Sequence, residues 1–116
     1  MSNSLNTSNI RDIKVQEIEV NFDRVRHIRY DLNALGILDE RFGSINEAFE
    51  ELGKMKAKAI TTMLWAGLIH EDEELTEKYV GSLIGMGNIA EIMSIISETL
   101  GVALPEAKNS EPSPME

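Results

Sequence analysis

The sequence predicts a mainly α (α+β) fold, in which a small N-terminal β-hairpin is followed by about five helices packed around one core. Three observations point there. Residues 15–22 alternate apolar and polar side chains, the period of a half-buried strand. From Asp31 onward the apolar period becomes helical, and the successive stretches are bounded by capping residues and glycines. The chain has 116 residues, 42% of them hydrophobic, which is enough for one core and too little for a second.

The elements follow in order. Ile18, Val20 and Phe22 face one way, and Glu17, Glu19 and Asn21 the other. Residues 25–30, rich in β-branched and aromatic side chains, make the second strand, with Asp23 and Arg24 as the tight turn. Glu17 and Glu19 are expected to face Arg26, His27 and Arg29; opposite charges across an antiparallel pair contribute about 0.2–1 kcal/mol each. A hairpin alone is barely stable, so it must pack on the helices. Asp31 is the N-cap of the first helix, Tyr30 staples onto Leu35, and Leu32, Leu35, Leu38 and Phe42 form its apolar stripe up to Gly43. Ser44, with Glu47 three residues on, reads as a capping box for a short helix ending at Gly53. Residues 55–69 are apolar around most of a helix, from Met55 through Ile60, Met63 and Leu64 to Ile69, and should form the central buried element. Thr76 caps the next helix, running to about Ile84, with Leu75 stapled onto Val80. Gly85-Met86-Gly87 breaks it. Asn88 opens the last helix, in which Ile89, Ile92, Met93, Ile96 and Leu100 form a stripe closed by Gly101.

The ends differ from this body. Residues 1–14 are polar, and residues 105–116 hold all three prolines. Neither stretch can bury enough apolar surface to offset the entropy of ordering it, so both are expected to be disordered tails around a single domain at 15–104.

Charge narrows the function. There are 11 Lys and Arg against 20 Asp and Glu, a net charge of −9, and residues 59–116 contain only Lys78 and Lys108 as bases. Polyanion binding depends on cationic side chains, so nucleic acid is not an expected partner. No cysteine is present, which excludes disulfides, thiolate metal sites and cysteine nucleophiles. Neither a basic-then-apolar leader nor an apolar run approaching ~18 residues is visible, so a cytoplasmic protein without a membrane partner is expected.

Catalytic chemistry finds little to hold. The two histidines are His27 and His70, and no glycine-rich phosphate loop precedes a helix. The acids at 71–74 lack the spacing of an EF-hand and are expected to form a solvated loop before a helix N-terminus, where the helix dipole favours them. His70 is expected to help end the central helix by meeting free carbonyls. No catalytic residue, metal or cofactor is expected. Trp65 reads as a core residue whose indole N–H reaches a carbonyl. The last helix carries Ile95 beyond its stripe, and Met86 sits in the glycine break before it. Such adaptable apolar surface suits a partner chain, which makes Met86, Ile89, Ile92, Met93, Ile95 and Ile96 the expected partner-binding residues.

Several segments resemble a known family. Residues 30–35 (YDLNAL) after a hairpin, residues 38–43 (LDERFG), residues 64–72 (LWAGLIHED), then Leu75-Thr76 and Val80-Gly81, resemble the tail assembly chaperones of long-tailed bacteriophages, prophages and gene-transfer agents, in order and spacing. Asp31, Leu32, Asn33, Trp65, Gly67 and His70 are motif residues of this resemblance, with structural roles expected. The resemblance implies a non-catalytic protein that binds the tape-measure protein in the host cytoplasm, keeps it soluble, helps recruit tail-tube subunits, and is absent from the finished particle. Homo-oligomers are compatible with that role, as is a frameshift-extended form. The alternatives are a structural tail-completion or connector component, and a small metal-dependent enzyme using His70 and the acids at 71–74.

Overall fold

Residues 10–101 are described by the structure, a computed structural model. They form β1 (Glu17–Asn21), β2 (Val25–Arg29), α1 (Leu32–Phe42), α2 (Ile45–Gly53), α3 (Ala57–Leu68), α4 (Glu77–Ser82) and α5 (Ile89–Leu100). This is the expected hairpin followed by five helices. Of the tail expected at 1–14, residues 1–9 lie outside the described residues, as does the tail expected at 105–116, whereas residues 10–14 are exposed chain without helix or strand.

β1 and β2 pair antiparallel, with Glu17 opposite Arg29, Glu19 opposite His27 and Val20 opposite Arg26. Glu17 and Glu19 thus meet Arg29 and His27 across the hairpin, as the charges suggested. Arg26 does not join them. It falls on the inner face beside Ile28, buried, because its guanidinium reaches Asp23 at 2.7 Å and Asp72 at 3.5 Å. Pairing with two carboxylates offsets the cost of burying that charge.

The helix ends follow the capping residues. Asp31, Ser44 and Thr76 each accept the N–H three residues on, from Ala34, Glu47 and Tyr79. Gly43 and Gly101 close α1 and α5 with positive φ, a conformation that costs glycine nothing. Two expectations fail. Leu32 is 82% exposed, because the first residue after Asp31 points to solvent; the core face of α1 carries Ala34 and Leu38 instead. Met55, expected inside the central helix, takes a left-handed φ of 59° in the turn before it, and α3 begins at Ala57.

α3 is the central element, with eight of its 12 residues buried. The hairpin lies on it through β2. Tyr30, just beyond β2, donates its hydroxyl to the Met63 carbonyl at 2.6 Å. Burial pushes that phenol well above its ordinary pKa and keeps it a neutral donor. α1, α2, α4 and α5 surround α3, with Leu38, Leu52, Val80 and Ile96 fully buried against the same core. Among the described residues, no helix is long and apolar enough to cross a membrane.

Candidate functional site

α5 is amphipathic in two directions. Ile92, Met93 and Ile96 turn into the core, while Asn88, Glu91, Ile92 and Ile95, spaced i, i+3, i+4 and i+7, share a face beside the hairpin. Between that face and β1 lies an open groove of about 350 Å³. Ile28 of β2 and Leu64 and Leu68 of α3 form its floor, Val20 and Phe22 one wall, and Ile92 and Ile95 the other. Its rim is polar and acidic, with Glu19 and Asn21 on the strand side and Asn88 and Glu91 on the helix side. Among the described residues neither Glu19 nor Glu91 has an ion-pair partner.

The glycine break before α5 is held by Asn88. Its side chain accepts from the Gly85 N–H at 2.9 Å and donates to the Leu83 carbonyl at 3.0 Å, leaving Met86 at the apex, 89% exposed. The six residues expected to bind a partner therefore separate by role. Met86 stands in solvent, Ile89 and Ile95 are half-buried, and Ile92, Met93 and Ile96 are in the core, with Ile92 also reaching the groove. The sequence singles out Ile92 and Ile95 of this helix face but not the opposite wall, because no local signal says that β1 comes to lie beside α5.

The acidic turn at 71–74 is only partly the solvated loop expected. Glu73 and Glu74 are exposed, but Glu71 and Asp72 reach back to the hairpin. Glu71 accepts the His27 N–H at 3.0 Å and contacts His27 Nδ1 at 2.6 Å. Asp72 accepts from Arg24 at 3.1 Å and Arg26 at 3.5 Å. The bond with Glu71 raises the His27 pKa, with Glu19 and Glu17 adding to the effect. Burial alone would raise Glu71, but its bonds from the His27 backbone and ring outweigh that and lower it. Asp23 is held far below the usual carboxylate range, chiefly by the Arg26 guanidinium, while the Tyr79 hydroxyl donates to it at 2.7 Å. His70 does not meet the carbonyls of its own helix. Its Nε2 bonds the His27 carbonyl of β2 at 2.7 Å.

The other residues singled out by the resemblance have the following surroundings. Asp31 caps α1 and pairs with Arg29 at 3.3 Å, Asn33 is exposed, and Trp65 donates its indole N–H to the Leu75 carbonyl at 2.9 Å while Arg41 stacks over its ring. Gly67 is where the hairpin crosses α3. A second cavity of about 520 Å³ between α3 and α4 has Lys58, Thr61, Thr62, Glu77 and Lys78 among its lining residues, where Glu77 is already engaged by Arg41 and Thr62. Neither cavity is lined by histidine, and the described residues contain no group of three or more His, Asp or Glu placed to hold a metal ion. No protein-family profile, curated protein or solved structure matches the chain.

Proposed function

We propose that this domain is a phage tail assembly chaperone, a non-catalytic binder that keeps the tape-measure protein soluble in the host cytoplasm and helps bring tail-tube subunits to it. The observation that supports this reading is the apolar groove with an acidic rim, close in sequence to the exposed Met86, on a chain of net charge −9. A long helical client with uncovered apolar stripes aggregates until its tube encloses it. A small partner that covers part of such a stripe and adds net negative charge keeps the complex dispersed.

The enzymatic alternative has less support. His70 is bonded to backbone, His27 lies outside both cavities, and the acids nearest them are bound to hairpin side chains. Coexpression tests the reading. The tape-measure protein is expected in the pellet when made alone, and in the soluble fraction, coeluting with this chain, when the two are made together. A client that stays in the pellet with the chain present overturns the proposal. Recovery of the chain from purified particles replaces it with a tail-completion or connector component.

A further inference from the structure

The two edges of the hairpin are finished differently. On β2, the His27 N–H and carbonyl point away from β1, to Glu71 at 3.0 Å and His70 at 2.7 Å. In an antiparallel ladder the residue opposite an outward-pointing one also points outward. Glu19 is opposite His27, so the N–H and C=O groups of Glu19, and of Glu17 and Asn21 two residues either side, face the outer edge of β1. The Phe22 N–H, which bonds the Arg24 carbonyl across the turn at 2.9 Å, fits the inward set. The sheet has two strands, and no described residue bonds the outward groups of Glu19 or Asn21. One edge is covered by the loop at 70–71; among the described residues the other is open.

That open edge borders the groove. Residues 19–22 line it consecutively, so the strand presents its edge to the groove as well as one face. We propose that the outer edge of β1 takes up an extended segment of a partner chain whose residues alternate apolar and basic, forming a third strand. Main-chain bonds to Glu19 and Asn21 give it register. Its inward side chains lie against Val20, Ile92 and Ile95 and must be apolar, while its outward ones lie beside Glu19, with Glu91 across the groove, and should be basic.

Charge selects this occupant over the others. A second copy pairing through the same edge sets Glu17 and Glu19 against their own counterparts, between two chains of net charge −9. The chain's own flanks do not fit. Residues 10–16 are exposed, residues 1–9 contain no base, and residues 102–116 offer Lys108 among three glutamates and three prolines. The inference goes beyond the chaperone reading, since a helical client leaves the strand-edge groups unpaired.

The test uses the full ¹⁵N-labelled chain and an end-blocked heptapeptide alternating Lys and Val. Binding is expected to slow hydrogen exchange at the Glu19 and Asn21 amides. N-methylation of the peptide residues that face β1 keeps its charge and apolar surface, and should weaken binding about tenfold or more. Glu19→Pro, which removes an outward donor and no ladder bond, should do the same. Equal affinity for the N-methylated peptide overturns the proposal, as does binding that leaves both amides unprotected, the signature of a helix or of charge alone in the groove. Protection already present in the free chain identifies one of its own segments as the occupant, and protection that appears only with a doubled mass identifies a second copy; either result overturns it too. All these outcomes leave the coexpression result unaffected, so the two readings fail separately.

Discussion

A single missing methyl group sets how closely the hairpin approaches the central helix. A Cβ on Gly67 would lie 2.9 Å from Tyr30 Cζ and 3.0 Å from Ile28 Cγ2, both side chains buried in the core. Gly67→Ala should therefore push the hairpin off α3 and destabilise the protein by about 1–3 kcal/mol, the usual cost of overpacking. Gly36 is the counterpart. It sits inside α1 with nothing within 4 Å of an added Cβ, so Gly36→Ala should stabilise by about 0.5–1 kcal/mol through helix propensity alone. Urea midpoints of the two variants, moving in opposite directions, check the pair; a Gly67→Ala protein as stable as the parent removes the close-packing account. At this scale the sequence misleads where charge and period disagree. Strand alternation groups Arg26 with Ile28 on the inner face, while its charge argues for the outer one. The period wins because Asp23 and Asp72 converge on the guanidinium, and Asp72 is 46 residues away.

At the scale of elements, boundaries were legible and contacts between elements were not. Asp31, Ser44, Thr76, Gly43 and Gly101 mark helix ends by local chemistry, and the structure places those ends at the same residues. The docking of the loop at 70–72 on the hairpin carries no local signature, since Glu71 and His27 stand 44 residues apart. That clamp has a pH signature. His27, with an ordinary pKa of 6.5, is raised in the fold, so its contribution is complete below 6.5 and lost as pH rises through the higher folded value. Glu71, ordinarily 4.5, is lowered, so its contribution is complete above 4.5 and lost as pH falls through the lower folded value. Both partners are charged between those limits. The stability difference between the parent chain and Glu71→Gln should accordingly peak at about pH 5–6 and shrink toward pH 8 and pH 3. Denaturation midpoints of both proteins across that range test it, and a difference independent of pH shows that the pair is held by its neutral hydrogen bonds alone.

For the whole molecule, the question is which apolar surface can be spared. The core uses Ile92, Met93 and Ile96 to hold α5 against the rest, so those side chains serve stability first. Met86 contributes nothing to that core and stands exposed just before α5, and Ile95 only touches the core's edge while lining the groove. If the acidic, groove-bearing face covers a client, affinity and stability should come apart at these positions. Met86→Ala should leave stability within about 0.5 kcal/mol of the parent, and Ile95→Ala should cost about 1 kcal/mol. Their combination should reduce the soluble, coeluting fraction of the tape-measure protein severalfold in coexpression. Ile96→Ala supplies the contrast, expected to cost about 2–5 kcal/mol because Ile96 is fully buried and its cavity cannot collapse completely. Measured together, thermal midpoints and client solubility then separate surface from scaffold. Should Ile95→Ala unfold as readily as Ile96→Ala, the helix face belongs to the core and is not a client-binding surface.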